Sequence, residues 1–344
     1  MLFMSTKADD QVRQTKYAIS KTIIVDQSGH GDFTNIQNAI DSIPSYSQVW
    51  TLVHVKAGTY NEKVNIPKDK QRIFLQGESR RTTIIQFGDG GDSLKSTTFS
   101  LFADDFVAKD ITFKNTYNLE SGKPMSWAPA ALIRADKASF YRCGFVSVQD
   151  TLTDSQGRHY FDSCYIEGAV DFIWGNGKSI YTVSRHLRHG SLLFLRFVYV
   201  YLRSNSMQGC IIKVTVPRGR TGTITAQGQE SASENTGFVF KNCLIYGAGP
   251  AYLGRAYRAY SRVLFHHTQM SDIIVPQGWS AWNYVGKENT IVYGEVNCYG
   301  PGADKSKRVP WEKNLSPTDL KHLLKTKTFI NQEGWIQRQN LINA

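Results

Sequence analysis

Apolar and polar positions along this chain alternate in runs too short for a helix face, and the runs recur at a fixed interval. Phe140-Tyr-Arg-Cys143-Gly-Phe145 is followed by Phe161-Asp-Ser-Cys164-Tyr-Ile166, so that Phe140 to Phe161 and Cys143 to Cys164 are both 21 residues apart. Related runs are Phe106-Val-Ala-Lys-Asp-Ile111-Thr-Phe113-Lys-Asn115, Phe238-Val-Phe240-Lys-Asn-Cys243-Leu-Ile245 and Arg262-Val263-Leu-Phe265-His-His-Thr268-Gln-Met270. Each carries an aromatic or β-branched residue on one side and a small polar residue near a corner. Gly175-Asn176-Gly177 and Gly247-Ala-Gly249 supply turns. Self-similarity at a period in the twenties, with no helix pattern between the strands, predicts a solenoid. The expected fold is all-β, a right-handed parallel β-helix with short capping helices. A β-sandwich also uses short strands, but it gives no reason for Phe and Cys to recur together.

Both ends read as caps. Ile36, Ala39, Ile40 and Ile43 fall at helical spacing and Pro44 stops them, which suits a helix closing the open end of the core. Ser316, Pro317 and Asp319 offer an N-cap, a first-turn proline and a first-turn acid, predicting a short surface helix. Residues 1–20 are expected to be a polar tail and 21–344 a single domain. One stretch breaks the period. The corner cysteine expected near 184 occurs at Cys210, an excess of 210 − 184 = 26 residues, placing an atypical insertion at about 182–207. It lacks the Phe-x-x-Cys corner and is expected to leave the solenoid as an excursion. Its apolar part, Leu192 to Leu202, is interrupted by Arg196 and too short to span a bilayer.

The same period relates two acids, because Asp150 and Asp171 are also 21 residues apart. On neighbouring coils they would stack about 4.8 Å apart. Two carboxyls that close resist joint ionisation, which costs stability in a structural role and is useful for acid–base or nucleophilic chemistry.

Bulk properties narrow the partners. A net charge of +11 favours an acidic partner such as nucleic acid or an anionic polysaccharide, and equally describes a merely solvated basic surface. There is no helix-turn-helix, zinc-finger spacing or RNA-binding aromatic signature, so no nucleic-acid partner is expected, nor a membrane one. None of the five cysteines forms a C-x-x-C pair, which argues against zinc. Cys143 and Cys164 would stack at a separation that permits a disulfide, or form part of a buried ladder of small residues. Met1-Leu-Phe-Met4 runs straight into Lys7, Asp9 and Asp10, leaving no apolar signal-peptide core. One glycosylation sequon, Asn314-Leu-Ser316, is followed by Pro317.

The segments around the aspartates are specific. Gln149-Asp150-Thr151-Leu152 and Asp171-Phe172-Ile173-Trp174-Gly175 resemble the two signature motifs of pectin methylesterases (pectinesterases), most closely of the plant type. Gly58-Thr-Tyr60-Asn-Glu62, Ser96-Thr-Thr98-Phe99, Ile224-Thr-Ala226-Gln227-Gly228, Leu253-Gly254-Arg255 and Gly278-Trp279-Ser-Ala-Trp282-Asn283 follow in the family's order, from about residue 22 to 335. The resemblance implies removal of methyl groups from methyl-esterified homogalacturonan, without metal or organic cofactor. It implies Asp171 as nucleophile, Asp150 as general acid and base, Gln149 as oxyanion donor and Arg255 as the partner of Asp171. Thr98, Phe172, Arg255, Tyr257 and Trp282 would bind substrate, the aromatics by stacking on sugar faces. It further implies a monomer secreted to the cell wall, with a proteinaceous pectinesterase inhibitor as a further partner. The missing export signal is then expected beyond the N-terminus given.

The chain departs from the family at two motifs. Ala128-Pro129-Ala130-Ala131-Leu132 stands where relatives carry Gln-Ala-Val-Ala-Leu, removing a second oxyanion donor, and Arg255-Ala256-Tyr257 replaces Arg-Pro-Trp. A catalytically impaired pectin-binding relative is therefore the alternative reading. A β-helix polysaccharide lyase would need acidic calcium-binding clusters, and no acid occurs from Phe172 to Gln229.

Overall fold

The computed structural model describes residues 18–120, 122–183 and 209–340. The chain cycles through three parallel sheets, taking one strand in each per turn. Among the described residues one sheet has ten strands and the other two have eight each. This is the parallel β-helix expected from the period. The register matches it, since Phe140 pairs with Phe161, Gly144 with Tyr165 and Leu152 with Ile173. Parallel pairing puts like over like, and the core becomes a set of stacks. Phe140, Phe161, Tyr181, Phe240 and Phe265 form one such stack, with successive ring centroids 5.0, 4.5, 4.4 and 4.5 Å apart.

Phe161 sits inside that stack with no exposed surface. Phe161→Ala should cost about 3–5 kcal/mol, because neighbouring coils are fixed by their own ladders and cannot collapse into the hole. Urea denaturation checks this, and a loss below about 1 kcal/mol would show that the stack repacks.

All five cysteines are free. The Sγ of Cys164 donates to the Phe140 carbonyl, that of Cys210 to Phe161, that of Cys243 to Tyr181 and that of Cys298 to Phe265. These four thiols thus reach back one coil, while Cys143 donates to the Tyr141 carbonyl on its own coil, and the cysteines form the ladder of small residues rather than a Cys143–Cys164 disulfide.

The Lys178–Thr182 strand pairs with Gly237–Lys241, and Tyr165–Gly168 pairs with Ile211–Thr215, so the solenoid is in register on both sides of residues 184–208. The expected insertion at 182–207 therefore lies, from residue 184, outside the described residues, as does most of the expected N-terminal tail. Thr182 itself pairs with Asp162 and belongs to the repeat.

Helix α1 (Ile36–Asp41) closes the N-terminal end, with Ile36, Ala39 and Ile40 buried and the Asn35 side chain capping the Asn38 N–H. At the other end Ser316 caps α2 (Pro317–Leu324), accepting from the Asp319 N–H at 3.1 Å. With α3 (Thr326–Phe329) and α4 (Trp335–Asn340) it is more than the surface helix expected. Leu323, Phe329, Ile330, Trp335 and Ile336 bury a row of outward residues on the ten-stranded sheet, among them Trp50, Phe74, Tyr160 and Ile180. This second core leaves that face unavailable. Among the described residues no helix is long and apolar enough to cross a membrane.

Candidate active site

The two aspartates sit at one corner of successive coils, just ahead of or within strands of one eight-stranded sheet. There the chain turns on single residues with left-handed backbone, φ 62° at Asp150 and 47° at Asp171. Such values are tolerated by aspartate better than by most side chains, and the turn is held from outside. The Asp150 N–H donates to the Val170 carbonyl at 3.0 Å, and Leu152 pairs with Ile173. Asp150 and Asp171 are thereby stacked at equivalent positions. Both are buried, each keeping less than a tenth of its surface exposed.

Arg255 comes from the Ala251–Arg255 strand, two strands further along the same sheet. Its Nε donates to Asp171 Oδ1 at 2.8 Å and its Nη2 to Oδ2, a two-pronged grip that fixes the carboxylate plane. The guanidinium also lies 3.8 Å from the centre of the Trp282 ring. Burial pushes the Asp171 carboxyl up from its ordinary value, and the Arg255 bonds and charge pull the other way. Asp150 has no such grip. Burial first, and then the charge of Asp171, push its carboxyl up to about 8. Asp150 is therefore the member of the pair held as a carboxylic acid at neutral pH, and Asp171 the one whose charge has a cation to pair with.

These groups open onto a cleft of about 380 Å3 that also holds Gln149, Trp127, Trp174 and Tyr257. Trp174 and Tyr257 meet edge to face at 5.9 Å, and Tyr257 tilts against Trp282 at 6.2 Å. The aromatics form one wall. A larger cavity of about 630 Å3 lies along the same sheet near Lys68, Arg134 and Gln156, away from both aspartates. Among the described residues no group of three His, Cys, Asp or Glu side chains could hold a metal ion.

Of the residues expected from the sequence, Gln149, Asp150, Asp171, Arg255, Tyr257 and Trp282 are brought together in the cleft. Two are not. Phe172 has no exposed surface and packs in the interior, because the left-handed turn at Asp171 sends the next side chain inward; it cannot stack on a sugar. Thr98 is likewise fully buried, and its Oγ1 donates to the Lys114 carbonyl at 3.1 Å, which makes it a brace between coils. Ala128 is buried too, its carbonyl accepting from Ser147 Oγ at 2.6 Å.

The sequence reading missed Trp127 and Trp174. Trp174 follows the inward Ile173, so strand alternation counted from Ile173 turns it outward. Trp127 lies in a loop with no period to reveal it, held by the Gly91 N–H on its carbonyl at 3.0 Å.

A family model described as Pectinesterase matches residues 22–189 and 200–333. Probable pectinesterase 29 of Arabidopsis thaliana is 45% identical over 323 residues, covering 92% of this chain and 88% of that protein. Probable pectinesterase 55 of the same plant is 45% identical, covering 92% and 90%. Among solved structures, pectin methylesterase from carrot superposes with a TM-score of 0.79 at 28% identity, covering 92% of this chain and 95% of that one. The Aspergillus niger pectin methylesterase gives 0.73 at 27%, covering 93% and 96%.

Proposed function

The chain belongs to the pectinesterase family, and we propose that it hydrolyses the methyl esters of homogalacturonan by a two-step reaction centred on Asp171 and Asp150. The observation that carries this reading is the unequal pair, one carboxyl gripped by Arg255 and its stacked neighbour held protonated by burial. The Asp171 carboxylate attacks the ester carbonyl carbon, and the electron pair moves to the carbonyl oxygen, where the Gln149 amide donates a hydrogen bond. The carbonyl re-forms, the bond to the methoxy oxygen breaks, and Asp150 gives that oxygen its proton, releasing methanol and an acyl-Asp171 intermediate. Water then attacks the acyl carbon and loses a proton to the Asp150 carboxylate. Collapse breaks the bond to the Asp171 oxygen and restores both aspartates, freeing a galacturonic acid unit that gives its proton to solvent. Arg255 holds Asp171 in line throughout, and its bonds and charge favour the carboxylate against the upward push of burial. Tyr257 and Trp282 position the sugar chain by stacking.

Methanol release from methyl-esterified polygalacturonate tests the reading. Gln149→Ala should lower kcat on the order of 10²-fold with little change in KM, since an oxyanion bond strengthens only as charge develops. Ala128 supports the alternative of a pectin-binding relative without turnover, and binding with no methanol released would establish that instead. The net charge of +11 suits a monomer secreted to the cell wall and retained there by polygalacturonate, where a proteinaceous inhibitor could cover the cleft. The solenoid from residue 21 onward is proposed to act as one domain.

A further inference from the structure

Outside the cleft the chain buries an ion pair that the reaction does not use. The side chains of Arg308 and Glu295 are only 4% and 1% exposed. Arg308 Nε donates to Glu295 Oε1 at 2.7 Å, and Nη2 donates to Oε2 at 3.0 Å. Nη2 also donates to the Gly302 carbonyl, and Nη1 to the carbonyls of Val275 and Pro276 at 3.3 and 3.1 Å. Every N–H of the guanidinium is therefore engaged. The fit is close: at Gly278, where φ is 70°, a Cβ would meet Arg308 Cδ at 2.5 Å. A buried ion pair is weak ground for stability, because desolvation offsets the attraction. This one fixes geometry instead, tying the Val292–Val296 strand to the loop at 275–278.

That loop leads into the site. Glu295 Oε1 also accepts from Trp279 Nε1 at 3.2 Å, and the buried Trp279 ring stacks on Tyr293 at 4.5 Å. Trp279–Ser280 is the edge strand of the sheet that carries the aspartates, and it pairs with Gly254 and Arg255. The Leu253 N–H donates to the Gly278 carbonyl at 2.7 Å and the Ala256 N–H to that of Ser280 at 3.2 Å. Two residues on, Trp282 has left-handed backbone with φ 50°, and its N–H donates to Ser280 Oγ at 3.2 Å. Its ring lies 3.8 Å from the Arg255 guanidinium, which grips Asp171. The edge strand sets where Trp282 lies, and Arg308 and Glu295 set the edge strand.

We infer that Arg308 and Glu295 are positioning residues for the nucleophile: by fixing residues 275–282 they keep Trp282 against Arg255, and so keep the guanidinium aligned on both Asp171 oxygens. The inference rests on the esterase reading above. Arg308 is not among the residues lining the cleft and acts only through others. The Trp282 ring shields one face of the Arg255 guanidinium from water and limits its swing. Released from the ring, the guanidinium hydrates and turns, and a two-pronged hold that depends on planar alignment is lost.

The test measures methanol release by the full chain in Arg308→Lys, Trp282→Ala and their combination. Lysine keeps a cation beside Glu295 but cannot hold the carboxylate and three carbonyls at once. Arg308→Lys should lower kcat about tenfold, the scale of a cation–π contact. Added to Trp282→Ala it should cost less than about twofold more, because the contact it protects has already gone. The pH profile gives a second reading. Arg255 and Asp150 are the charged groups facing Asp171. A looser Arg255 favours the carboxylate less, so the acid limb of kcat, where Asp171 takes up a proton, should move to higher pH in Arg308→Lys. A brace for the fold alone would lower the melting temperature and leave that limb in place. Glu295→Gln combined with Arg308→Met leaves no buried charge unpaired, and should shift the limb likewise if Arg308→Lys folds poorly. Additive losses, or an unmoved limb in a folded variant, would overturn the inference. If the parent protein releases no methanol, the esterase reading fails first. The Asp171 carboxyl carbon is then titrated by NMR, assigned with Asp171→Asn, and must ionise at higher pH in Arg308→Lys for the positioning role to stand.

Discussion

Replacing Asp171 with asparagine is expected to abolish methanol release, lowering kcat by on the order of 10⁴-fold or more, the range seen when a covalent nucleophile is removed. The amide matches the carboxylate in shape, so the left-handed turn at residue 171 and the coil around it should persist. Its single oxygen can accept from only one of the two Arg255 nitrogens that now bind Asp171. What is lost is the nucleophilic oxygen. The outcome should therefore appear in kcat, with unchanged circular dichroism and substrate affinity close to that of the parent. Asp171→Ala should match it in rate. More than a few per cent of activity in either variant would move the nucleophile elsewhere, and a collapse of the fold in both would make Asp171 a structural residue first.

The parts of this molecule that could be read from its residues are those that parallel pairing repeats. Phe140 over Phe161 and Cys143 over Cys164 are visible because each coil must present the same residue type to the same stack. The period that reveals the fold also brings Asp150 over Asp171. The apolar cover of α2, α3 and α4 on the ten-stranded sheet was not legible. Trp50, Phe74 and Tyr160 point away from the solenoid interior, and nothing local says that helices from the far end of the chain return to bury them. Phe172 was placed in the cleft by resemblance to the family, where strand alternation counted through Asp171 offers no check. The left-handed residue there resets the count, burying Phe172 and exposing Trp174. The Asp171–Arg255 pair spans 84 residues and leaves no periodic trace; only resemblance to a family suggested it.

Asp150→Asn should produce the second largest loss, on the order of 10³-fold in kcat, because the amide can neither give methoxide its proton nor take one from water. Its pH behaviour distinguishes this role from mere packing. In the parent protein the acid form of Asp150 is needed for methanol to leave, so activity should fall as pH rises through about 8. That limb should be missing from the residual rate of Asp150→Asn. Stability should move the opposite way. The unfolded carboxyl releases its proton near its ordinary value of 3.8, while the folded one keeps it to about 8. Across that window the folded state binds more protons than the unfolded one, so the parent protein loses stability as pH rises through it. The amide has nothing to release. Melting temperatures of parent and variant should therefore nearly coincide at about pH 4 and separate toward pH 9, with the inactive variant the more stable. Parallel melting curves at every pH would show that Asp150 is not held protonated by its burial. The acid step would then have to come from another group.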